Sequence, residues 1–203
     1  DMDIGNFPEE LDRIKSKIRM CQQGLIIVGR SVDSRYDKKV LKLAQTFNWP
    51  ILPDVQSSLR YIDHPNIINH FDLALLNPSL QSQRPDMVLH IGGAFTSKRL
   101  LIYLNQQDIF YTSVKETPER IDPNHQCDIS VQTKISDFCQ AIESSGNATN
   151  HSWLDLWQQN EAELTKQINE QIEPISELNE MGISFFLSDL IPEKHSLMLG
   201  NSM

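Results

Sequence analysis

The fold is decided by residues 84–104, which read RPDMVLHIGGAFTSKRLLIYL. Met87–Ile91 is a mainly apolar run that suits a buried strand and is too short for a helix. Gly92-Gly93 lets the backbone leave the strand sharply. Thr96 or Ser97 can cap a helix whose apolar residues follow at helical spacing. These residues therefore predict one strand–turn–helix unit.

The same unit recurs along residues 7–142. Short apolar runs predict strands at residues 25–28, 51–55, 87–91, 109–114 and 129–131, and amphipathic segments between them predict helices. The first run, LIIV, lacks polar alternation, which is typical of strands buried on both faces of a parallel sheet. The predicted fold class is α/β: a doubly wound, mainly parallel Rossmann-like sheet flanked by helices.

Two of the predicted helices depend on weaker signals. Asp33 or Ser34 is expected to cap a helix that ends before Trp49-Pro50, because the residue before a proline avoids helical backbone. Apolar residues between positions 67 and 76 predict another helix, which ends at Asn77-Pro78.

The composition changes after residue 143. Residues 144–150, SSGNATN, form a linker, and a long polar helix with a sparse apolar stripe follows until Pro174. Ser176 is expected to cap one more helix, and residues 197–199 read as a strand. A lone strand cannot satisfy its backbone hydrogen bonds, so we expect its sheet to continue in another part of the protein. The predicted division is a central domain at 1–150, a linker helix at 151–174, and the first helix and strand of a truncated second α/β domain at 175–203.

Composition excludes several classes of protein. The net charge of -9 argues against a nucleic-acid or anionic-membrane partner, because phosphate binding requires a basic surface. No run approaches the roughly 18 apolar residues of a membrane span, and the first residues lack the apolar core of a signal peptide. Three cysteines without C-x-x-C spacing indicate free, mostly buried thiols in a reducing compartment. We therefore expect a cytoplasmic protein, with a plastid or its bacterial equivalent left open.

Patterns for common cofactors are missing. The turn after the first strand has one glycine, Gly29, where a dinucleotide fingerprint needs three. Asp54 ends the second strand, where a ribose-binding acid would lie, but an acid alone does not predict NAD or FAD. The six histidines show no metal-ligand spacing, so no metal site is predicted. No serine lies in a G-x-S-x-G elbow.

Two groups of polar residues remain as candidates. Arg60, Lys98 and Arg99 follow strands whose carboxyl ends share one edge of the sheet, where small anions bind in such folds. The alternative is a solvated basic rim. The final residues, Gly200-Asn201-Ser202-Met203, form a glycine turn with polar side chains that can contact a phosphate or a carboxylate.

Several segments together carry a resemblance to one enzyme family. They are residues 24–30 (GLIIVGR), 48–60 (NWPILPDVQSSLR), 70–72 (HFD), 84–92 (RPDMVLHIG), 96–99 (TSKR) and 199–203 (LGNSM). Over nearly its whole length the chain resembles the central region of 2-succinyl-5-enolpyruvyl-6-hydroxy-3-cyclohexene-1-carboxylate (SEPHCHC) synthases. These are thiamine-diphosphate enzymes of menaquinone and phylloquinone biosynthesis.

The resemblance implies a central domain between a pyrimidine-binding and a pyrophosphate-binding domain of the same protein. The implied reaction decarboxylates 2-oxoglutarate and adds the product to isochorismate, with thiamine diphosphate and Mg²⁺ as cofactors. Gly200, Asn201 and Ser202 inherit the role of contacting cofactor and substrate. The full-length enzyme would be a homodimer or homotetramer.

The chain lacks the activating glutamate and the metal ligands of the family's other domains. We therefore expect the chain alone to be inactive, structural and free of bound cofactor. The alternative is a non-catalytic regulatory module that binds a small carboxylic acid at Arg60, Lys98 and Arg99.

Overall fold

The structure is a computed structural model that describes residues 8–31, 34–105, 108–118, 126–146, 151–172, 179–192 and 195. The chain divides into two compact units, Asp1–Ala162 and Glu163–Met203. The first unit contains the sheet, and the described part of the second contains the end of a long helix and one further helix.

The first unit alternates strands with helices, as the sequence predicts. The strands are β1 Gly24–Val28, β2 Ile51–Pro53, β3 Met87–Ile91, β4 Phe110–Lys115 and β5 Ile129–Gln132. The helices are α1 Pro8–Met20, α2 Asp37–Phe47, α3 Phe71–Ala74, α4 Pro78–Gln81, α5 Lys98–Leu104, α6 Ile135–Ile142 and α7 His151–Ile172. Short 3₁₀ turns lie at Ser34–Tyr36, Ser58–Tyr61 and Glu143–Ser145.

The five strands of the described residues form one parallel sheet in the order β2-β1-β3-β4-β5. The predicted α/β class and doubly wound parallel sheet are confirmed. The chain leaves β1 towards β2 on one side and returns to β3 on the other. The ends of β1 and β3 are therefore the topological switch point of the sheet, where ligands of such folds usually bind.

Both faces of the sheet are covered by apolar side chains. Every residue of β1 and β3 is buried, which explains their unbroken apolar character. On one face the core is formed by α1, α2 and α6, through residues that include Ile14, Ile18, Val40, Leu43, Phe138 and Ile142. Elsewhere in the unit, Trp153 of α7 donates its indole N–H to the carbonyl oxygen of Gly24 at 2.8 Å. Trp157, also buried, packs edge-to-face against the ring of Tyr103, and the two ring centroids lie 6.3 Å apart.

Two predicted helix boundaries are wrong, and the second error has a tertiary cause. Ser34 opens a 3₁₀ turn, and α2 starts at Asp37 after Tyr36, which forms no side-chain cap; Asp33 lies outside the described residues. The helix predicted across 67–76 shrinks to α3, because Ile67 forms a parallel bridge with Ile51 at the edge of the sheet. Backbone pairing with β2 therefore overrides the helical spacing of the apolar residues.

The described part of the second unit contains helix α8, Glu180–Leu190. Asn179 caps it by accepting a hydrogen bond from the backbone N–H of Gly182 at 2.8 Å. The predicted break at Pro174, the cap at Ser176 and the strand at 197–199 lie outside the described residues. Among the described helices, none combines the length and apolar character that crossing a membrane requires.

Candidate functional site

The loops that follow β1 and β3 are hydrogen-bonded to each other across the switch point. The backbone N–H of Gly29 donates to Ile91 O, and that of Arg30 donates to Ala94 O, both at 2.9 Å. In the opposite direction, the N–H of Gly93 donates to Arg30 O at 2.9 Å. The crevice where a nucleotide would enter such a sheet is therefore filled by the protein's own backbone.

Two glycines permit this close approach. A Cβ atom at Gly29 would lie 1.8 Å from the carbonyl oxygen of Gly93, far inside van der Waals contact. Gly92 has a φ of 86°, a conformation that residues with a side chain rarely adopt. The glycines here serve a tight backbone crossing rather than the approach of a pyrophosphate.

Asp54 links the loop after β2 to the loop after β3. Its side chain is only 1% exposed. One carboxylate oxygen accepts hydrogen bonds from the Thr96 backbone N–H at 2.6 Å and from the Thr96 hydroxyl at 2.9 Å. The other oxygen accepts from the Gln56 N–H at 3.0 Å. The acid that occupies the ribose-binding position is thus engaged by protein donors on both oxygens.

A buried histidine supports the same crossing from β3. His90 is fully buried, and its Nε2 lies 2.8 Å from Gly93 O. Because a carbonyl oxygen only accepts, Nε2 carries the proton in this bond. In the neutral ring, Nδ1 then accepts from the Tyr111 hydroxyl, 2.8 Å away. In the strand register His90 pairs with Ser113, and Tyr111 lies two residues earlier in β4. This diagonal contact leaves no signal in the spacing of residues, so the role of His90 could not be predicted from the sequence.

This geometry predicts that the chain does not bind dinucleotides. Neither NAD⁺ nor FAD should show saturable binding below about 1 mM, because their pyrophosphate has no space at the switch point. Fluorescence or calorimetric titration measures this directly, with a known dehydrogenase as the positive control. Micromolar binding of either cofactor would contradict the closed crossing.

The three basic residues predicted as an anion site differ in their surroundings. Arg60 is half-buried, and its Nη1 donates to Pro53 O at 3.3 Å. Arg99 pairs with the carboxylate of Asp72, which also accepts a 2.5 Å hydrogen bond from the Ser97 hydroxyl. Lys98 is exposed, and its side chain has no hydrogen-bond or ion-pair partner among the described residues. An anion site at these residues stays a prediction, because no contact joins Arg60 to Lys98 or Arg99.

The other candidates are limited by what the structure describes. Gly200, Asn201 and Ser202 lie outside the described residues. Within the described ranges, no three His, Cys, Asp or Glu side chains are grouped so as to hold a metal ion.

Two of the three cysteines, Cys21 and Cys139, are not suited to nucleophilic chemistry. All three are free thiols. Burial, reinforced by a hydrogen bond to Asp86, raises the pKa of Cys21 far above its ordinary value. Burial also raises the pKa of Cys139 to about 12. Both thiols are therefore protonated at ordinary pH, whereas the reactive form is the thiolate.

Comparison with protein families identifies the domain type. The family model described as "Middle domain of thiamine pyrophosphate" matches residues 11–199, almost the whole chain. The chain belongs to this family. The closed switch point therefore belongs to a middle domain of the thiamine diphosphate type. The matched residues also include α7 and α8.

Curated relatives agree with the resemblance noted in the sequence. The chain is 28% identical to the SEPHCHC synthase of Rubrobacter xylanophilus, over 96% of this chain and 34% of that protein. It is 29% identical to the synthase of Gloeothece citriformis, over 100% of this chain and 37% of the relative. It is 33% identical to the synthase of Shewanella frigidimarina, over 89% of this chain and 31% of that protein. The chain thus spans about a third of the length of the curated relatives it matches.

A solved structure supports the fold. The X-ray structure of a protein described as a thiamin diphosphate-dependent enzyme from Mycobacterium smegmatis aligns with a TM-score of 0.50 at 14% identity. The alignment covers 70% of this chain and 28% of that chain. At this identity the likeness concerns the architecture of the sheet and helices.

Proposed function

We propose that the chain is the middle part of a longer SEPHCHC synthase. This enzyme decarboxylates 2-oxoglutarate and adds the product to isochorismate, releasing CO₂, in menaquinone or phylloquinone biosynthesis. The observation that carries the proposal is similarity along 89–100% of the chain to three enzymes of this name, each about three times as long. The full-length protein would act in the cytoplasm as a homo-oligomer.

The proposed division of the chain is a central domain at 1–150, a linker helix at 151–174 and the start of a pyrophosphate-binding domain at 175–203. The surface of α8 supports a continuation of the last part. Its residues Ile183, Phe186, Leu187 and Leu190 recur at helical spacing and are 42%, 45%, 37% and 72% exposed. A helix with such an apolar stripe normally packs it against a core, which further residues of the second domain would supply.

In this proposal the described residues act as a scaffold, and the chemistry is carried elsewhere. Thiamine diphosphate, held with Mg²⁺ by the other domains, supplies the electron sink for decarboxylation. Within this chain, Gly200, Asn201 and Ser202 are the proposed contacts to cofactor and substrate. In this proposal the closed crossing at the switch point belongs to a central domain that binds no nucleotide.

Asn201→Ala in the longer protein is expected to lower kcat/KM for SEPHCHC formation by about 100-fold, since a positioned polar contact to the reacting groups is lost. Ser202→Ala should have a smaller effect in the same direction. Gln159→Ala, at an exposed position of α7, is the matched control and should leave the rate unchanged. Losses below about twofold at Asn201, with unfolding curves unchanged, would remove this residue from the site.

The size of the native protein tests whether the chain is a part of a larger one. An immunoblot of cell extract with antibody to this chain should show a band more than twice 23.3 kDa. A band at 23.3 kDa would contradict the proposal and favour the regulatory module that binds a small carboxylic acid.

A further inference from the structure

One cleft in the first unit combines exposed apolar side chains with positive charge. It encloses about 240 Å³ between α5 and the segment that contains α3 and α4. Leu76 and Ile102 line it and are 54% and 61% exposed. The cleft therefore brings two exposed aliphatic side chains together at its mouth.

The floor and walls of this α5 cleft are held in place. Leu75 and Tyr103 line it from below and are 1% and 4% exposed. The Tyr103 hydroxyl donates to Gln83 O at 2.8 Å, and the Gln81 side-chain amide donates to Leu75 O at 2.5 Å. The cleft is therefore preformed, and an occupant would not have to order it.

Two arginines stand at the rim of the α5 cleft, and they differ in their partners. Arg99 is paired with Asp72. Arg84 is exposed, and its guanidinium has no hydrogen bond or ion pair with any described residue. It is close enough to Tyr103 for its charge to oppose the rise that burial causes in the Tyr103 pKa. In a chain with 27 acidic and 18 basic residues, this apolar cleft offers an uncommitted cation.

We propose that the α5 cleft is the docking site for another segment of the longer polypeptide. That segment inserts an aliphatic side chain between Leu76 and Ile102 and places a carboxylate against Arg84. The volume suits one or two side chains and lies below the roughly 300 Å³ at which small-molecule pockets begin. The charge of Arg84 selects an acidic partner. This inference rests on the proposed function, because the relatives' other two-thirds provides the segment.

Cysteine labelling of the longer polypeptide tests the proposal. Ile102→Cys should react with a maleimide at least about tenfold more slowly in the longer polypeptide than in the 203-residue chain. Lys38→Cys, exposed on α2, is the matched control and sets the reference rate in both proteins. Peptide mass spectrometry separates the new cysteine from the native ones. An unchanged ratio of the two rates would overturn the proposal.

A charge reversal tests the chemistry of the occupant. In the longer polypeptide, Arg84→Glu should restore fast labelling of Ile102→Cys, whereas Arg84→Lys should leave it protected. If Ile102→Cys were labelled equally fast with Arg84→Glu and with Arg84→Lys, the inference that the occupant is acidic would be wrong. Protection that rises with the concentration of the 203-residue chain would assign the cleft to a second copy and also overturn the proposal. Labelling needs no catalysis, so protection in an inactive polypeptide would refute the proposed function and leave the docking site standing.

Discussion

Gly29→Ala is expected to lower the free energy of unfolding by about 3 kcal/mol, the upper end for overpacking, or to prevent folding. The added methyl group would lie 1.8 Å from Gly93 O. This oxygen cannot move aside cheaply, because His90 donates a hydrogen bond to it at 2.8 Å. Urea unfolding followed by circular dichroism measures the change.

Gly93→Ala is the matched control, since it adds the same methyl group on the other side of the crossing. A Cβ atom there would lie 3.1 Å from Arg30 O, a contact that a small adjustment relieves. Its cost should be about 1 kcal/mol or less. Equal losses at the two positions would show that the crossing of the β1 and β3 loops does not depend on contact at Gly29.

Asp54→Ala is expected to cost about 2–3 kcal/mol of unfolding free energy. The carboxylate accepts backbone hydrogen bonds from Thr96 and Gln56 and one from the Thr96 hydroxyl. Hydrogen bonds to a charged group contribute about 1.5–3 kcal/mol, and their loss leaves donors without a protein acceptor. The stability of Asp54→Asn should lie between those of the unsubstituted protein and Asp54→Ala, because the asparagine amide keeps one accepting oxygen.

Asp63→Ala is the control for Asp54→Ala, because this aspartate is exposed and its loss should cost less than about 0.5 kcal/mol. A double-mutant cycle of Asp54→Ala with Thr96→Val isolates the bond to the hydroxyl. Additive losses in this cycle would mean that the Asp54–Thr96 side-chain contact contributes nothing to stability.

The sheet could be predicted from sequence because its signals are local. Each strand is a short apolar run between turn residues, and parallel pairing follows from the helices between them. The prediction of a helix at 67–76 was wrong for a non-local reason. The Asn66 side chain donates to Ala44 O and Trp49 O, and Ile68 N–H donates to Ile51 O. These contacts fix residues 66–68 beside β2, and nothing in the spacing of apolar residues records them.

The switch point could be predicted only in part. The glycines and Asp54 were visible as residues at strand ends, but Thr96, which donates two hydrogen bonds to Asp54, lies 42 positions away in sequence. Docking of α7 shows the same limit. Glu161 accepts from the backbone N–H groups of Asn69 and His70 at 3.1 and 2.9 Å, across more than 90 residues. The sequence indicated a polar helix, but only the folded structure shows that Glu161 is the acid that holds it against residues 69–70.

Product formation by the longer polypeptide tests the central claim most directly. With 2-oxoglutarate, isochorismate, thiamine diphosphate and Mg²⁺, the account predicts SEPHCHC and CO₂ in equal amounts. It predicts no product when either cofactor is omitted, and none from the 203-residue chain alone. A longer polypeptide that binds thiamine diphosphate but forms no SEPHCHC, or a 203-residue chain that forms it unaided, would contradict the account.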